Sequence, residues 1–488
     1  MRKFVHVAGV VVFAMHLLSA VLSCGKAAAL WNTPSAPRAT AFFQGLAQSH
    51  PWLFPFRSYM TGAETVLLAH FVPVAVISVV FVWLYASFCR RPDAADVSKV
   101  LGGWAVAFAC AAALAYPLFT QDLWLSSVWG RMSAGGVNPY YVAFSPAWVG
   151  QLPLDHFPLT MSYGPLWGAL STVAEAVTQG HAALSFVIFK VILALCWLSS
   201  LYLLPRMMPE ASALERNLAV LLFGWLPLSV QESLAEGHND IAMASLALLW
   251  LFLLLRKPAS PPWALAASTL CKYVTAPLFV VDLTVCLRRD GLGARDYALR
   301  LVPVILLAVV FFAVFFRSMK FFEALLFINS WPFLQPRDAI LAVDRIAGGY
   351  LKPVAWASAA VFPLVAVHSL YRLWLDASPV LIVRAVLAVL CAVSFAAVNH
   401  LWPWYLIWLV PFAALVPHWW LSRFVIGLAL LAPFTAVIWW INAFGPYKDV
   451  AALCLYGGAL CWTLLGGRMI PVSDPAPDRG YGKTLSVS

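Results

Sequence analysis

Charge is what this sequence has least of. Only 11% of its 488 residues are Asp, Glu, Lys or Arg, against about 25% in an average soluble chain. That shortage excludes the set of soluble domains the length would otherwise suggest, and it excludes a disordered chain or a coiled coil. Cysteine is sparse too. The nine residues are scattered, most of them inside apolar runs (Cys110, Cys196, Cys271, Cys391, Cys454, Cys461). No CxxC occurs, so neither a zinc site nor a redox motif is indicated, and no disulfide framework is expected.

What the chain has in excess is apolar surface: 62% hydrophobic residues, 23 Trp and 32 Phe, with a mean hydropathy of +0.84. A membrane helix needs about 20 apolar residues, so roughly a dozen would use about half the chain. The net charge of +10 sits in short basic clusters between apolar runs, as the positive-inside rule expects. It sets topology, and no nucleic-acid partner is expected.

The apolar runs thread as an all-α polytopic membrane protein with about twelve crossings plus a re-entrant hairpin. The first run, from Met1-Arg2-Lys3 to about Ser23, reads as an uncleaved helix with its N-terminus in the cytosol. A cleaved signal peptide ending near Val21-Leu22-Ser23-Cys24 is the competing reading. Crossings follow at 62–88, 100–119, 182–204, 218–234 and 240–256, then at 301–317, 353–371, 380–398, 402–417, 424–441 and 449–466. The stretch 262–287, interrupted by Lys272 and Pro277, is the hairpin. Residues 1–99 form an N-terminal two-helix segment. Residues 100–470 form the main domain, with large outer loops at 121–181 and 318–352, and 471–488 a disordered cytosolic tail. No internal repeat of the kind found in many transporters is visible.

Polar residues cluster where the threading leaves the lipid. The first outer loop carries Gln121-Asp122-Leu123-Trp124, Trp129-Gly130-Arg131, Asn138-Pro139-Tyr140-Tyr141, Asp155-His156 and Ser162-Tyr163-Gly164-Pro165. Asp122 is placed at the outer, negative end of a helix dipole, where a carboxylate needs a partner. Arg131 is the natural one, so Asp122 reads either as an interfacial salt bridge or as a general base. The run Gln231-Glu232-Ser233-Leu234-Ala235-Glu236-Gly237-His238-Asn239-Asp240 reads as a solvated turn or as a functional one. His238 and Asp240 give two metal ligands and no third is fixed by the sequence. In Asn399-His400-Leu401-Trp402-Pro403-Trp404-Tyr405, His400 reads equally as interfacial or functional. Lys272, beside Tyr273, costs about 2.5–3.5 kcal/mol at membrane depth, so it faces protein or water; a buried pair with Asp282 would satisfy it. Lys190 reads as a snorkelling residue. Aromatic faces and hydrogen-bonding side chains suit a sugar, and a cation near lipid suits a phosphate.

At these residues the chain resembles the bacterial GT-C-type membrane glycosyltransferases that use polyprenyl-phosphate sugars, in particular the actinobacterial α-1,6-mannopyranosyltransferases. The resembling stretches are Gln121-Asp122 through Gly130-Arg131 to Asn138-Pro139-Tyr140, Tyr163-Gly164-Pro165-Leu166, Gly237-His238-Asn239-Asp240, Lys272-Tyr273, and His400 with Pro403-Trp404-Tyr405. The resemblance implies a GT-C-like fold and a lipid-phosphate sugar donor bound from the membrane. It also implies an acidic catalytic base at the start of the first large outer loop, where Asp122 stands. Two helices precede the one that delivers Asp122, where many such enzymes have one. No second acid stands next to Asp122, which argues against a divalent metal.

The expected activity is transfer of a hexose, with mannose the leading candidate, to a glycolipid or glycan hydroxyl at the outer face of a bacterial inner membrane. Asp122 is the base, with a pKa raised toward working pH. Arg131 or Lys272 balances charge on the leaving phosphate. His238, Asn239, Asp240 and His400 orient sugar or phosphate, and Tyr140, Tyr163, Glu236, Trp404 and Tyr405 line the site. No metal and no cofactor are expected. A single base implies inversion; a second carboxylate, for which Asp155 is available, would imply retention. A secondary transporter and a non-catalytic membrane partner are the competing classes. The long outer loops and the missing repeat weigh against the first, and the polar clusters against the second.

Overall fold

The computed structural model describes residues 1–30, 70–91, 95–149, 159–207, 211–256, 261–329, 334–347, 349–435 and 447–469. Among them the chain is helical and forms no β-strand. Asp155, His156, the last part of the 424–441 crossing and the 471–488 tail lie outside the described residues.

Among the described residues, seven helices are long and apolar enough to cross a membrane: Arg2–Cys24, Val72–Cys89, Ala182–Met207, Ala294–Phe315, Lys352–Leu375, Pro379–Ala397 and Lys448–Gly466. The pair Ala213–Gly224 and Pro227–Ala235, bent by 52°, passes the same test together, as a broken span or a re-entrant loop. The threading counts more crossings because several of its apolar runs are short or broken. Ser98–Ala113 and Trp420–Thr435 are shorter helices. The 402–417 run divides into a 3-10 turn, Pro403–Trp408, and a six-residue helix, Val410–Leu415. The stretch 262–287 is two helices, Trp263–Cys271 and Leu278–Arg288, separated by an extended Lys272 (φ −156°, ψ 125°) and one 3-10 turn.

Proline stands at three of the breaks, those at Pro117, Pro227 and Pro403, and not at Lys272. It lacks an amide donor and pushes the residue before it out of the helical region. Leu226, before Pro227, is extended (ψ 123°), and so is Trp402, before Pro403 (ψ 148°). Pro117 lies in the irregular stretch between Ala113 and Asp122. Each break carries one of the polar clusters.

The helices pack as neighbours in pairs. Asp122–Ala134 lies against Pro165–Thr178, Arg2–Leu30 against Ser98–Ala113, and Asp240–Arg256 against both Ala182–Met207 and Trp263–Cys271. The first pair is close because Gly130 has no side chain. A Cβ there would sit 2.3 Å from the Ser171 carbonyl oxygen and 2.8 Å from Glu175 Cγ. The Ala294–Phe315 helix keeps an apolar outer face (Leu299, Val302, Ile305, Leu306, Val309, Val310), as a lipid-facing helix does.

Candidate functional site

The breaks bring the clusters together. Asp122 is the first residue of the helix Asp122–Ala134. The Asp240–Arg256 helix begins at Asp240. Between Pro227 and Asp240 the chain makes a π-turn over Gln231–Ala235 and then turns at Gly237, whose φ of +83° favours glycine. Every residue from Gln231 to Asp240 is buried. The run is therefore no solvated turn, and its polar groups need protein partners.

They find them. His238 Nδ1 donates to Asp122 Oδ2 at 2.9 Å. Its other ring nitrogen lies 3.3 Å from Glu232 Oε2. The imidazole stacks on Trp404, with centroids 4.2 Å apart and 15° between planes. Asp240 Oδ1 accepts from Lys272 Nζ at 2.7 Å and from Trp408 Nε1. Three aromatic rings surround the Lys272 ammonium, with centroids at 5.4 Å (Tyr163), 4.9 Å (Tyr405) and 5.2 Å (Trp408), within cation–π range. Tyr405 stacks on Trp408 at 4.1 Å, and its hydroxyl pairs with His400 Nε2 at 3.0 Å. Tyr163 hydrogen-bonds Asp122.

Asp122, Tyr163, His238, Asp240, Lys272, His400, Trp404 and Tyr405 thus form one connected group, as the sequence reading expected. Asn239 is buried between two of them, and its Oδ1 has no hydrogen-bond partner among the described residues.

Other expected residues stand elsewhere. Arg131 donates to Glu175 Oε2 at 2.9 Å and to the Gly180 carbonyl at 2.8 Å. Nine residues along a helix is about 13 Å of rise, too far for a partnership with Asp122. Tyr140 is a core residue, stacked on Phe321 at 4.1 Å. Glu236 is 1% exposed, and its Oε2 accepts from the Leu118 and Phe119 amides. Asp282 pairs with Arg300 at 2.6 Å, not with Lys272. Lys190 does not snorkel; it is buried on three backbone carbonyls. The dipole expectation for Asp122 reverses as well. The residue opens its helix, at the positive end, which favours a carboxylate.

The electrostatics follow from burial and pairing. Burial alone would lower the His238 imidazole. Hydrogen bonds and charges from Asp122 and Glu232 outweigh it and raise the group to about 10. Burial alone would raise Asp122, but the His238 hydrogen bond and charge, the Lys272 charge and the Tyr163 hydroxyl together hold it below the ordinary carboxylate value. The expected upward shift is thus overturned, because a buried imidazolium sits on the carboxylate.

Asp122, His238 and Asp240 each offer a ligand atom within 4.8 Å of the others. Asp122 is the third donor that the sequence alone did not fix. The set fits a metal poorly all the same. His238 is held protonated and in that state offers no lone pair to a metal, and the Lys272 ammonium occupies Asp240 Oδ1.

Glu232 and Trp408 are members the sequence reading did not single out. Glu232 lay in a polar run whose face depends on the π-turn. Trp408 lies in the apolar stretch Leu406–Leu409, without a polar neighbour to flag it.

Residues 24–288, more than half of the chain, match the family model described as alpha-(1->6)-mannopyranosyltransferase, N-terminal domain. The match spans Asp122, Glu232, His238, Asp240 and Lys272 and ends before His400. No curated protein and no solved structure matches the chain.

Proposed function

The chain belongs to the alpha-(1->6)-mannopyranosyltransferase family, glycosyltransferases acting on mannose, and we propose that it takes its mannose from a polyprenyl-phosphate donor. The transfer goes to a hydroxyl of a glycolipid or glycan at the outer face of a bacterial inner membrane, with Asp122 as the general base.

One observation carries the role of Asp122. It is the most accessible carboxylate of the cluster: its side chain is 19% exposed, against 6% for Glu232 and 0% for Asp240. The acceptor oxygen attacks the anomeric carbon while the bond from that carbon to the phosphate oxygen breaks. The hydroxyl proton passes to Asp122, and the polyprenyl phosphate leaves with the bonding electrons. A depressed pKa suits a base that acts late, because the hydroxyl becomes strongly acidic once its oxygen bonds the cationic carbon. His238 holds the carboxylate ionised and oriented. Lys272, its side chain 13% exposed, meets the charge developing on the leaving phosphate. Asp240 is fully buried and held by Lys272 and Trp408, so it is no second nucleophile, and the reading is inversion.

The test is transfer of radiolabelled sugar from a panel of polyprenyl-phosphate sugars by wild type and Asp122→Asn, with and without EDTA. The expected result is transfer from the mannosyl donor by wild type only, unchanged by EDTA. Donor binding without transfer would point to a wrong acceptor. Absence of donor binding together with proton-coupled flux would point to a transporter instead.

A further inference from the structure

Asp122 and His238 stand 116 residues apart in the chain, and their hydrogen bond is 2.9 Å long. Neither is held by regular structure on its N-terminal side. Irregular backbone leads from Ala113 into Asp122. The π-turn and Gly237 lead into His238. Such segments leave carbonyls and amides unmet, and buried backbone groups need partners.

Two side chains supply them. Lys190 Nζ donates to Ala115 O at 3.0 Å, to Ala235 O at 2.6 Å and to Leu234 O. A lysine ammonium has three donors, so backbone takes all of them and none is left for a ligand. One carbonyl belongs to the segment before Asp122 and two to the segment before His238. Glu236 repeats the tie in the opposite sense. It is part of the His238 segment, and its Oε2 accepts from the amides of Leu118 at 3.0 Å and Phe119 at 2.9 Å, in the Asp122 segment. Lys190 is 4% exposed and Glu236 1%.

We propose that Lys190 and Glu236 are positioning residues, two buried side chains that each fasten the backbone before Asp122 to the backbone before His238 and thereby set the hydrogen bond between them. Neither touches substrate. The proposal rests on the role assigned to Asp122 above, but its geometric half does not.

The experiment uses the full chain in lipid nanodiscs, as wild type, Lys190→Met and Glu236→Met. Three quantities are read: the thermal midpoint, the low-field imidazole proton of His238 (assigned by its loss in His238→Asn), and kcat and KM for the mannosyl donor. Both variants are expected to lose the His238 resonance. Their kcat is expected to fall about 100-fold with KM within about twofold, the signature of a small misplacement at the reacting centre. A loss of kcat in the Asp122→Asn background that Lys190→Met does not deepen would show that the two act through one another. A folded variant that keeps the resonance and the wild-type kcat overturns the proposal. If Lys190→Met does not fold, Glu236→Met, of similar length and without an acceptor oxygen, decides. If wild type transfers no mannose at all, the function fails, and the resonance still decides the positioning.

Discussion

Replacing Asp122 by Asn separates proton transfer from everything else the residue does. Asn keeps the volume, and its amide oxygen can still accept from His238 Nδ1, so the 2.9 Å contact need not break. Loss of a general base costs about 10²–10⁴ in rate, and kcat should carry that loss while the donor KM stays nearly constant. The stability effect should be smaller. Breaking a buried ion pair typically costs about 3–5 kcal/mol, but Glu232 remains 3.3 Å from the other imidazole nitrogen and the Asp122 side chain is 19% exposed. A loss of about 1–3 kcal/mol, that of one weakened hydrogen bond to a charged group, is expected. Single-turnover transfer from polyprenyl-phosphate mannose measures the first effect, and thermal unfolding in nanodiscs the second. A folded Asn variant with near-normal turnover refutes the assignment of the base. An unchanged KM with the predicted fall in kcat would leave it standing.

Lys272→Met should lower kcat about 10²–10³-fold through loss of charge at the leaving phosphate, and Lys272→Arg should not restore it, because a planar fork does not fit the ring of Tyr163, Tyr405 and Trp408; equal kcat in Met and wild type would remove the role. Gly130→Ala drives a methyl group into the Ser171 carbonyl and should cost about 1–3 kcal/mol of stability, read as a lower thermal midpoint. His238 binds its proton more tightly folded, at about 10, than at its ordinary 6.5. The stability it supplies is therefore full below pH 6.5 and lost as pH rises through about 10. The wild-type midpoint should fall over that window more steeply than that of His238→Asn; parallel curves would mean that the imidazole is not held charged.

The membrane architecture was legible because hydropathy depends on composition, which a one-dimensional reading keeps. The site was legible to the extent that polar residues at membrane depth are costly: Asp122, His238, Asp240 and Lys272 stand out against their neighbours for that reason. Partnerships were not legible. Arg131 is close to Asp122 in sequence and distant along a helix, while Glu175 is 44 residues away and 2.9 Å distant. The direction of the dipole on Asp122 turned on where a helix restarts after Pro117, which periodicity does not resolve. Glu232 reaches His238 because a π-turn shifts the face by a fraction of a turn, and no sequence pattern announces such a turn. Trp408 was hidden by its apolar surroundings.

The three carbonyls on Lys190 also bear on how the chain enters the bilayer. Lys190 is made 44 residues before Leu234 and 45 before Ala235, so two of its three acceptors do not exist when its helix first leaves the ribosome. A lysine at that depth costs about 2.5–3.5 kcal/mol during insertion. That cost favours holding the Ala182–Met207 helix at the insertion machinery until the bent pair that follows has been made. A nascent chain stalled before Gln231 should still crosslink to the insertion machinery through this helix, and one stalled well beyond Asp240 should not. Biogenesis of the site would then be a single late event, in which helices threaded separately partition as one body.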